Sequence, residues 1–396
     1  MKKEKYAKLL LQALKLEDKK YLFIQLPSFL SEFKDLLLSA AAEYELRDIY
    51  VDEQDVFKKH ELLLNLDQEN INKHPLFDES ILNKYAKLDS AFLFLQSMVP
   101  NLMDDIDTKK ISDTTKHVRS TQKYFRDLYE TDKLNWCIAG VPNPYWAKAL
   151  GLTEDELWNK IYEVALVDEK SDPYENWISK LNGMNNQANK LNDYNFEYLH
   201  YTNDLGTDLY VYLPEGHKWC SGYGTHKEIC NLPTEEIFTS PQYNKTRGIV
   251  YSTKPLFYNG VMIEDFYIKF VDGKAVEYDA KTGKDLLGTI ISNDDYSGYL
   301  GECALVSYDS PINNTGLIFK ETLYDENASC HLAFGMGFTE CNSKASDKKG
   351  DDLRSIGVND ANIHVDFMIG DETLKIVGTT HDNKEILVMN KGNLVI

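Results

Sequence analysis

Tyr21-Leu-Phe-Ile-Gln-Leu26, the segment Ser28 to Ala42, and Asp48-Ile-Tyr-Val51 decide the first half of this chain. The first run is short, apolar and flanked by polar residues, which reads as a buried strand. The middle segment carries Phe33, Leu36, Leu37 and Ala40 to Ala42 at helical spacing, with Ser28 or Ser31 as candidate caps. The last run reads as a second strand. Strand–helix–strand is the unit that builds parallel sheets with helical crossovers. Working outward, Tyr6 to Leu14 suits an amphipathic helix, and Ser90 to Leu95 and Asn135 to Ala139 suit further core strands. Asp107 to Leu134 is polar and helical. Leu152 to Val167 and Trp177 to Leu191 are also predicted helices, the former opened by Thr153 with Glu156 three residues on.

The texture changes near Asn195. Beyond it, short strand-like runs are punctuated by Asp272-Gly273, Thr282-Gly283, Gly370-Asp371, Asp382-Asn383 and Lys391-Gly392. Phe266 to Phe270 and Lys274 to Tyr278 flank the Asp-Gly pair like the arms of a hairpin. The expected architecture is therefore an α/β N-terminal domain with a largely parallel sheet over residues 1–195. A mainly β (α+β) C-terminal domain follows over residues 196–396.

The 396 residues carry 63 acidic against 43 basic side chains, a formal net charge of −20. That surface repels phosphate backbones and anionic lipid, so neither nucleic acid nor a membrane is an expected partner. It suits small cationic ligands and carboxylates gathered around metal ions. Six cysteines without a C-x-x-C pair make no disulfide framework. There is no apolar run of about 18 residues and no secretory signature at the N-terminus. The expected location is the cytoplasm, with the thiols reduced.

Candidate chemistry concentrates in the second half. In Asn362-Ile-His-Val-Asp-Phe-Met-Ile369 the alternation puts His364 and Asp366 on one strand face. They can reach one metal ion or two adjacent ones, or form a surface pair at a strand edge. Glu326-Asn-Ala-Ser-Cys-His331 sets an acid and an imidazole around the start of a short helix or turn at Asn327; a helix-start acid and a core histidine would look the same. Glu302, within Gly298 to Val306, is a lone acid in an apolar run, and such a carboxylate must be paired, protonated or metal-bound. Glu235 and Glu236 lie on the Pro-bracketed segment Asn231 to Pro241. His60, His74 and His117 stand among surface charges, and His200, His217, His226 and His381 lie in polar loops or at strand ends. No G-x-S-x-G elbow, P-loop or H-E-x-x-H helix occurs. A set of Glu, Asp and His without Cys suits Zn, Co or Mn, and two such ions about 3.5–4 Å apart are a common hydrolytic clamp.

With those residues in view, the chain resembles the aminopeptidase T family of dinuclear metallo-aminopeptidases. These are typified by thermophilic bacterial enzymes and also found in ordinary bacteria. The resemblance is carried by Gly206 to Leu209 with Leu213-Pro-Glu-Gly-His-Lys-Trp219, by Asn231-Leu-Pro-Thr-Glu-Glu236, and by Tyr299-Leu-Gly-Glu302 with Asp309-Ser-Pro-Ile312. Glu326 to Gly335 and Asn362 to Asp366 complete it, and Trp136 to Pro142 matches more weakly. It implies metal-ligand roles for Glu236, Glu302, Glu326, His331, His364 and Asp366, with two divalent ions bridged by Glu236. It also implies a homodimer that cleaves N-terminal residues from short peptides with a free N-terminus. Glu302 is taken as the proton acceptor besides being a ligand, and Asp309 as a contact for the substrate amine. The N-terminal domain is expected to cover the cleft. One position departs from the family pattern: seven residues after His331, where a catalytic Tyr is expected, stands Phe338. A phenyl ring donates no hydrogen bond, so either Tyr299 or Tyr324 substitutes, the metals act alone, or activity is reduced. Two other readings follow: a metal-bearing peptide- or partner-binding protein with little turnover, and another dinuclear hydrolase such as a dipeptidase.

Overall fold

The computed structural model describes residues 2–224, 227–258 and 261–396, so His226 lies outside the described residues. The chain forms two compact units: Met1–Ser179 with Tyr223–Pro233, and Lys180–Gly222 with Thr234–Ile396. It passes from the first to the second within the helix Pro173–Tyr194.

In the first unit the strands lie in the order Asp48–Gln54, Tyr21–Pro27, Ser90–Gln96, Asn135–Gly140 and Asn231–Leu232, every neighbouring pair parallel. The central strands are apolar on both faces because helices cover a parallel sheet. Leu22, Phe23, Ile24, Ala91, Phe92 and Leu93 are all buried. The helix Lys2–Ala13 is anchored through Tyr6, whose hydroxyl donates to the Gly140 carbonyl at 2.8 Å and whose ring meets Phe33 and Trp158. Helix Glu154–Val164 starts with the expected capping box of Thr153 and Glu156. The expected serine cap fails: helix Ser31–Ala41 begins with Leu30 at the capping position and no side-chain bond, so burial of Phe33, Leu37 and Ala41 holds it instead.

The second unit contains two antiparallel sheets. The larger, nine-stranded one runs from Leu256–Tyr258 through Val261–Val271, Arg247–Tyr251, Asp208–Tyr212, Phe196–Thr202, Lys375–Thr380 and Glu385–Asn390 to Asn393–Leu394, with Lys274–Thr282 paired to Val261–Val271. That pair is the expected hairpin. Asp272 and Gly273 both have positive φ, 48° and 81°, as a two-residue turn matched to strand twist requires. Thr282-Gly283, read as another turn between strands, instead opens the helix Lys284–Ile291.

The smaller sheet has the order His364–Met368, His331–Gly335, Leu300–Leu305, Ile237–Thr239 and Cys220–Ser221. One of its faces is aromatic. The Phe334 and Phe367 rings pack at 5.0 Å, tilted by 32°, and they meet Phe270 and Phe266 of the larger sheet at 6.1 and 6.0 Å. By the two-residue period of a strand, the residues between them point the other way.

Register on the central strand is broken once. Leu300 pairs with Phe334 and Glu302 with Ala333, so Gly301 is an extra residue in a bulge beside Glu302. A Cβ there would lie 2.1 Å from the Met336 carbonyl oxygen. Gly301→Ala is therefore expected to force the bulge apart, cost about 1–3 kcal/mol as overpacking does, and displace Glu302. Calorimetry should give a lower unfolding midpoint than wild type; an unchanged midpoint would refute this close approach.

Candidate metal centre

The face of the small sheet opposite the phenylalanines carries the chemistry. Glu302, Ala333 and Asp366 are in register across three strands. His331 lies opposite Ala304 and Met368, His364 lies opposite Gly335, and Phe238 lies opposite Ala304. Residues opposite each other in an antiparallel pair share a face, as do residues two apart. Glu302, His331, His364 and Asp366 therefore share one face, and Glu236, two residues before Phe238, continues it. Alanine at 304 and 333 leaves room between them. Glu326 is the last residue of the helix Thr322–Glu326, from which four residues lead to His331. Of the helix or turn expected to start at Asn327, the structure has the turn: Asn327 caps the end of the helix and opens the turn that leads toward His331. Glu326 thus stands where the helix dipole disfavours an acid, so helix stability does not account for it.

The imidazoles are aimed. His364 Nδ1 lies 2.7 Å from the Met336 carbonyl oxygen, and His331 Nδ1 lies 3.2 Å from that of Ser329. A carbonyl oxygen only accepts, so Nδ1 donates in both rings and Nε2 is the nitrogen presented to the carboxylates. His364 Nε2 is 3.0 Å from Glu302 and 3.3 Å from Asp366; His331 Nε2 is 3.1 Å from Glu236. The His331 approach is off the direction of a hydrogen bond, leaving a buried nitrogen without a hydrogen-bond partner. Glu236, Glu302, His331 and Asp366 are each at most 8% exposed. Such a nitrogen, facing carboxylate oxygens out of water, must hold a proton or give its lone pair to a cation. A backbone carbonyl behind a ligating histidine is the usual support of a metal site.

The titration shifts follow. Burial pulls His331 down, but Glu236, with Glu302 and Asp366 behind it, takes it up to about 9. His364 is held well above its ordinary value against burial, chiefly by Asp366 and then Glu302. Burial raises Glu302 in spite of its bond to His364. Glu326 is pushed well up by burial and by the charges of Asp366, Glu236 and Glu302. Burial would raise Asp366, yet His364 brings it below the usual range.

Ligand atoms gather into two trios, Glu236 with Glu302 and His331, and Glu302 with His364 and Asp366, each within 4.8 Å. Glu302 is common to both. Glu236, to which the resemblance gave the bridging position, belongs to one trio. Glu326 is outside both, although its charge is felt by the cluster. Its neighbour in the sequence motif, Glu235, turns instead to Lys180. Asp309 also stands outside the trios: it is exposed, accepts a hydrogen bond from Asn314 at 2.7 Å, and lines a small pocket with Glu235, Ile237, Leu305 and Ser310. The Phe338 ring packs 4.8 Å from the His364 ring and 5.4 Å from Phe238. Tyr299 packs with Tyr243 and Tyr296, and Tyr324 stacks on Phe319. Of the other histidines, His60 and His200 pair with Asp105 and Asp208, and His217 is buried against the Pro214 carbonyl. One further group, Asp132 with Glu228 and Cys230 in the first unit, also comes together within 4.8 Å; the sequence alone did not single it out, because Asp132 is distant from the other two and a thiol did not fit the pattern sought.

The family model described as "Thermophilic metalloprotease (M29)" matches residues 1–394. Aminopeptidase AmpS of Bacillus subtilis strain 168 is 34% identical over 387 residues, 94% of this chain and 93% of its own length. Aminopeptidase 2 of Geobacillus stearothermophilus is 31% identical over 401 residues, 98% and 97% of the two chains. The solved structure of wild-type AmpT from Thermus thermophilus superposes with a TM-score of 0.89 at 30% identity, covering 100% of this chain and 99% of that one. A match over nearly the whole length, joined to relatives above 30% identity, has one consequence: this chain is a peptide-bond hydrolase and belongs to the M29 family of metalloproteases.

Proposed function

We propose that this chain is an aminopeptidase that releases N-terminal residues from short peptides in the cytoplasm, working as a homodimer with two divalent ions in the second unit. The observation that carries the reading is the pair of trios sharing Glu302, with both imidazoles presenting Nε2 to carboxylates. Charge supports it as well. Glu236, Glu302, Glu326 and Asp366 supply four negative charges when ionised, which two divalent cations neutralise; left alone in a buried site they would be costly. Oxygen and imidazole donors without thiolate suit zinc, cobalt or manganese.

Bound ions of that kind supply Lewis acidity toward water and toward the scissile carbonyl. The protein's own part is to hold, orient and move protons. Glu236 and His331 would hold one ion, His364 and Asp366 the other, and Glu302, common to both trios, would contribute to each. With its two oxygens so engaged, Glu302 is poorly placed for the proton-accepting role that the sequence reading gave it. Glu326, outside both trios and raised by burial and neighbouring charge, takes that role: it accepts a proton from the attacking water and passes it to the leaving amine. With those four charges neutralised, a protonated peptide N-terminus needs a further carboxylate, the contact for which Asp309 was the sequence candidate. Names of the relatives agree, since those matched along most of their length are aminopeptidases. Phe338 lies against His364 and donates no hydrogen bond, so a lowered rate is expected.

The test is hydrolysis of leucine p-nitroanilide. Chelation should abolish turnover, cobalt, zinc or manganese should restore it, and the N-acetylated substrate should resist. Equal cleavage of the blocked substrate would reject aminopeptidase specificity. In variants, Glu302→Ala should lose both ions by elemental analysis together with activity. Glu326→Gln should keep its ions while turnover falls about 10²–10⁴-fold, the usual worth of a general acid–base group. Loss of metal from Glu326→Gln with metal retained in Glu302→Ala would reverse the two roles. Metal uptake should also expel protons. His331, raised to about 9, is protonated at pH 7 in the metal-free protein and must release that proton before it can ligate. Affinity should therefore climb as pH rises toward 9, and titration calorimetry in buffers of different ionisation enthalpy should show net proton release; zero release would count against His331 as a ligand.

A further inference from the structure

Two thiols meet beside this centre. Cys220, half-buried on the edge strand of the metal-bearing sheet, has its Sγ 3.9 Å from that of buried Cys341. Their backbones are already tied together. The Lys218 N–H donates to the Cys341 carbonyl at 2.7 Å, and His217 bridges to Asn342. Each thiol is coupled to the site by its own element. Cys220 pairs in register with Phe238, two residues from Glu236. Cys341 closes the turn Thr339–Cys341, which directly follows Phe338, the residue packed on His364.

We propose that Cys220 and Cys341 form a peroxide-sensitive dithiol whose closure to a disulfide slows peptide hydrolysis at the adjacent centre. Cys220 is the partly accessible thiol and reacts first. Its sulfur attacks one oxygen of hydrogen peroxide, the O–O bond breaks, one water leaves and Cys220 becomes a sulfenic acid. The Cys341 sulfur then displaces the sulfenic oxygen as a second water and the S–S bond forms. Two thiols and one peroxide give one disulfide and two waters: each sulfur loses one electron, and the peroxide oxygens gain two. Burial, followed by the neighbouring Cys220 and the charges of Glu340 and Glu302, pushes the Cys341 thiol well up. It is therefore the resolving partner and not the first to be attacked.

A disulfide needs the sulfurs about 2.05 Å apart, so closure draws the Thr339–Cys341 turn toward the edge strand. Phe338 moves with that turn against His364, and Glu236 immediately precedes the strand paired to Cys220. Small displacements of positioning groups have large kinetic effects, about 10²-fold for 1 Å, and a fall of about tenfold or more is expected here.

The activity arm rests on the proposed peptidase function; the chemical arm does not. Metal-loaded wild-type enzyme is treated with hydrogen peroxide. Free thiols are counted after denaturation, cross-linked peptides are mapped by non-reducing mass spectrometry, and leucine p-nitroanilide turnover is followed. The proposal expects loss of two thiols, a Cys220–Cys341 peptide, and a fall in turnover that dithiothreitol reverses. Cys220→Ser should show neither link nor reversible loss, and Cys341→Ser provides the same control should the first variant fold poorly. Absence of the link, a link between other cysteines, or a complete link with turnover unchanged would each overturn it. If the untreated enzyme cleaves no peptide, the functional reading fails, while the mapped link and the metal content before and after oxidation still decide whether this pair is a switch on the centre.

Discussion

Everything in the second unit is arranged around a cost: carboxylates taken out of water must be compensated. Glu236, Glu302 and Asp366 are nearly inaccessible, and Glu326 lies among their charges. An ion brought from water to protein interior loses several kcal/mol of solvation even after relaxation. Two imidazoles alone do not balance four acids. The fold accepts the cost because the small sheet gains on its other face, where Phe334 and Phe367 pack against Phe266 and Phe270. A strand that alternates can be aromatic on one side and ligating on the other without compromise, whereas a helix would need a stripe of about a hundred degrees for each.

That alternation also explains what could be read beforehand. Ile363, Val365 and Phe367 against His364 and Asp366 were visible in five consecutive letters, and a single acid among Leu300, Cys303 and Leu305 marked Glu302. The parallel sheet of the first unit was legible for the same reason, as buried strands and amphipathic helices declare themselves locally. Where the sequence misled, nearby residues offered two plausible partners. Ser28 and Ser31 looked like caps, yet packing of Phe33 and Leu37 holds that helix; Thr282-Gly283 looked like a hairpin turn but begins a helix. Glu326 looked like a helix-start acid and closes one instead. What the letters could not convey is register. Nothing local says that residue 302 faces 333 and 366, or that Cys220 lies beside Cys341, because strand pairing between distant segments is settled by the whole sheet.

Register in turn decides which carboxylate is shared. Along the face, His364 and Asp366 lie toward one end, and His331 and Glu236 toward the other, with Ala333 and Ala304 keeping the middle open. Glu302 is on the strand between the one that Glu236 leads into and the one carrying His331, and in the row of Asp366. It is the carboxylate that both groups can reach. A bulge at Gly301 next to it fits the tendency of bulges to re-aim a side chain at a site.

The segment after His331 has a second task. Met336 offers the carbonyl that fixes the tautomer of His364, and Phe338 lays its ring against the same imidazole. Two residues from one short stretch thus set both the proton position and the plane of an imidazole that lies on the neighbouring strand. A phenyl group can do the second job but cannot donate a hydrogen bond to charge developing on a substrate, so that stabilisation has to come from elsewhere in the centre. Supporting His364 and stabilising substrate charge are therefore separable duties. At position 338 a phenyl ring can meet only the first of them.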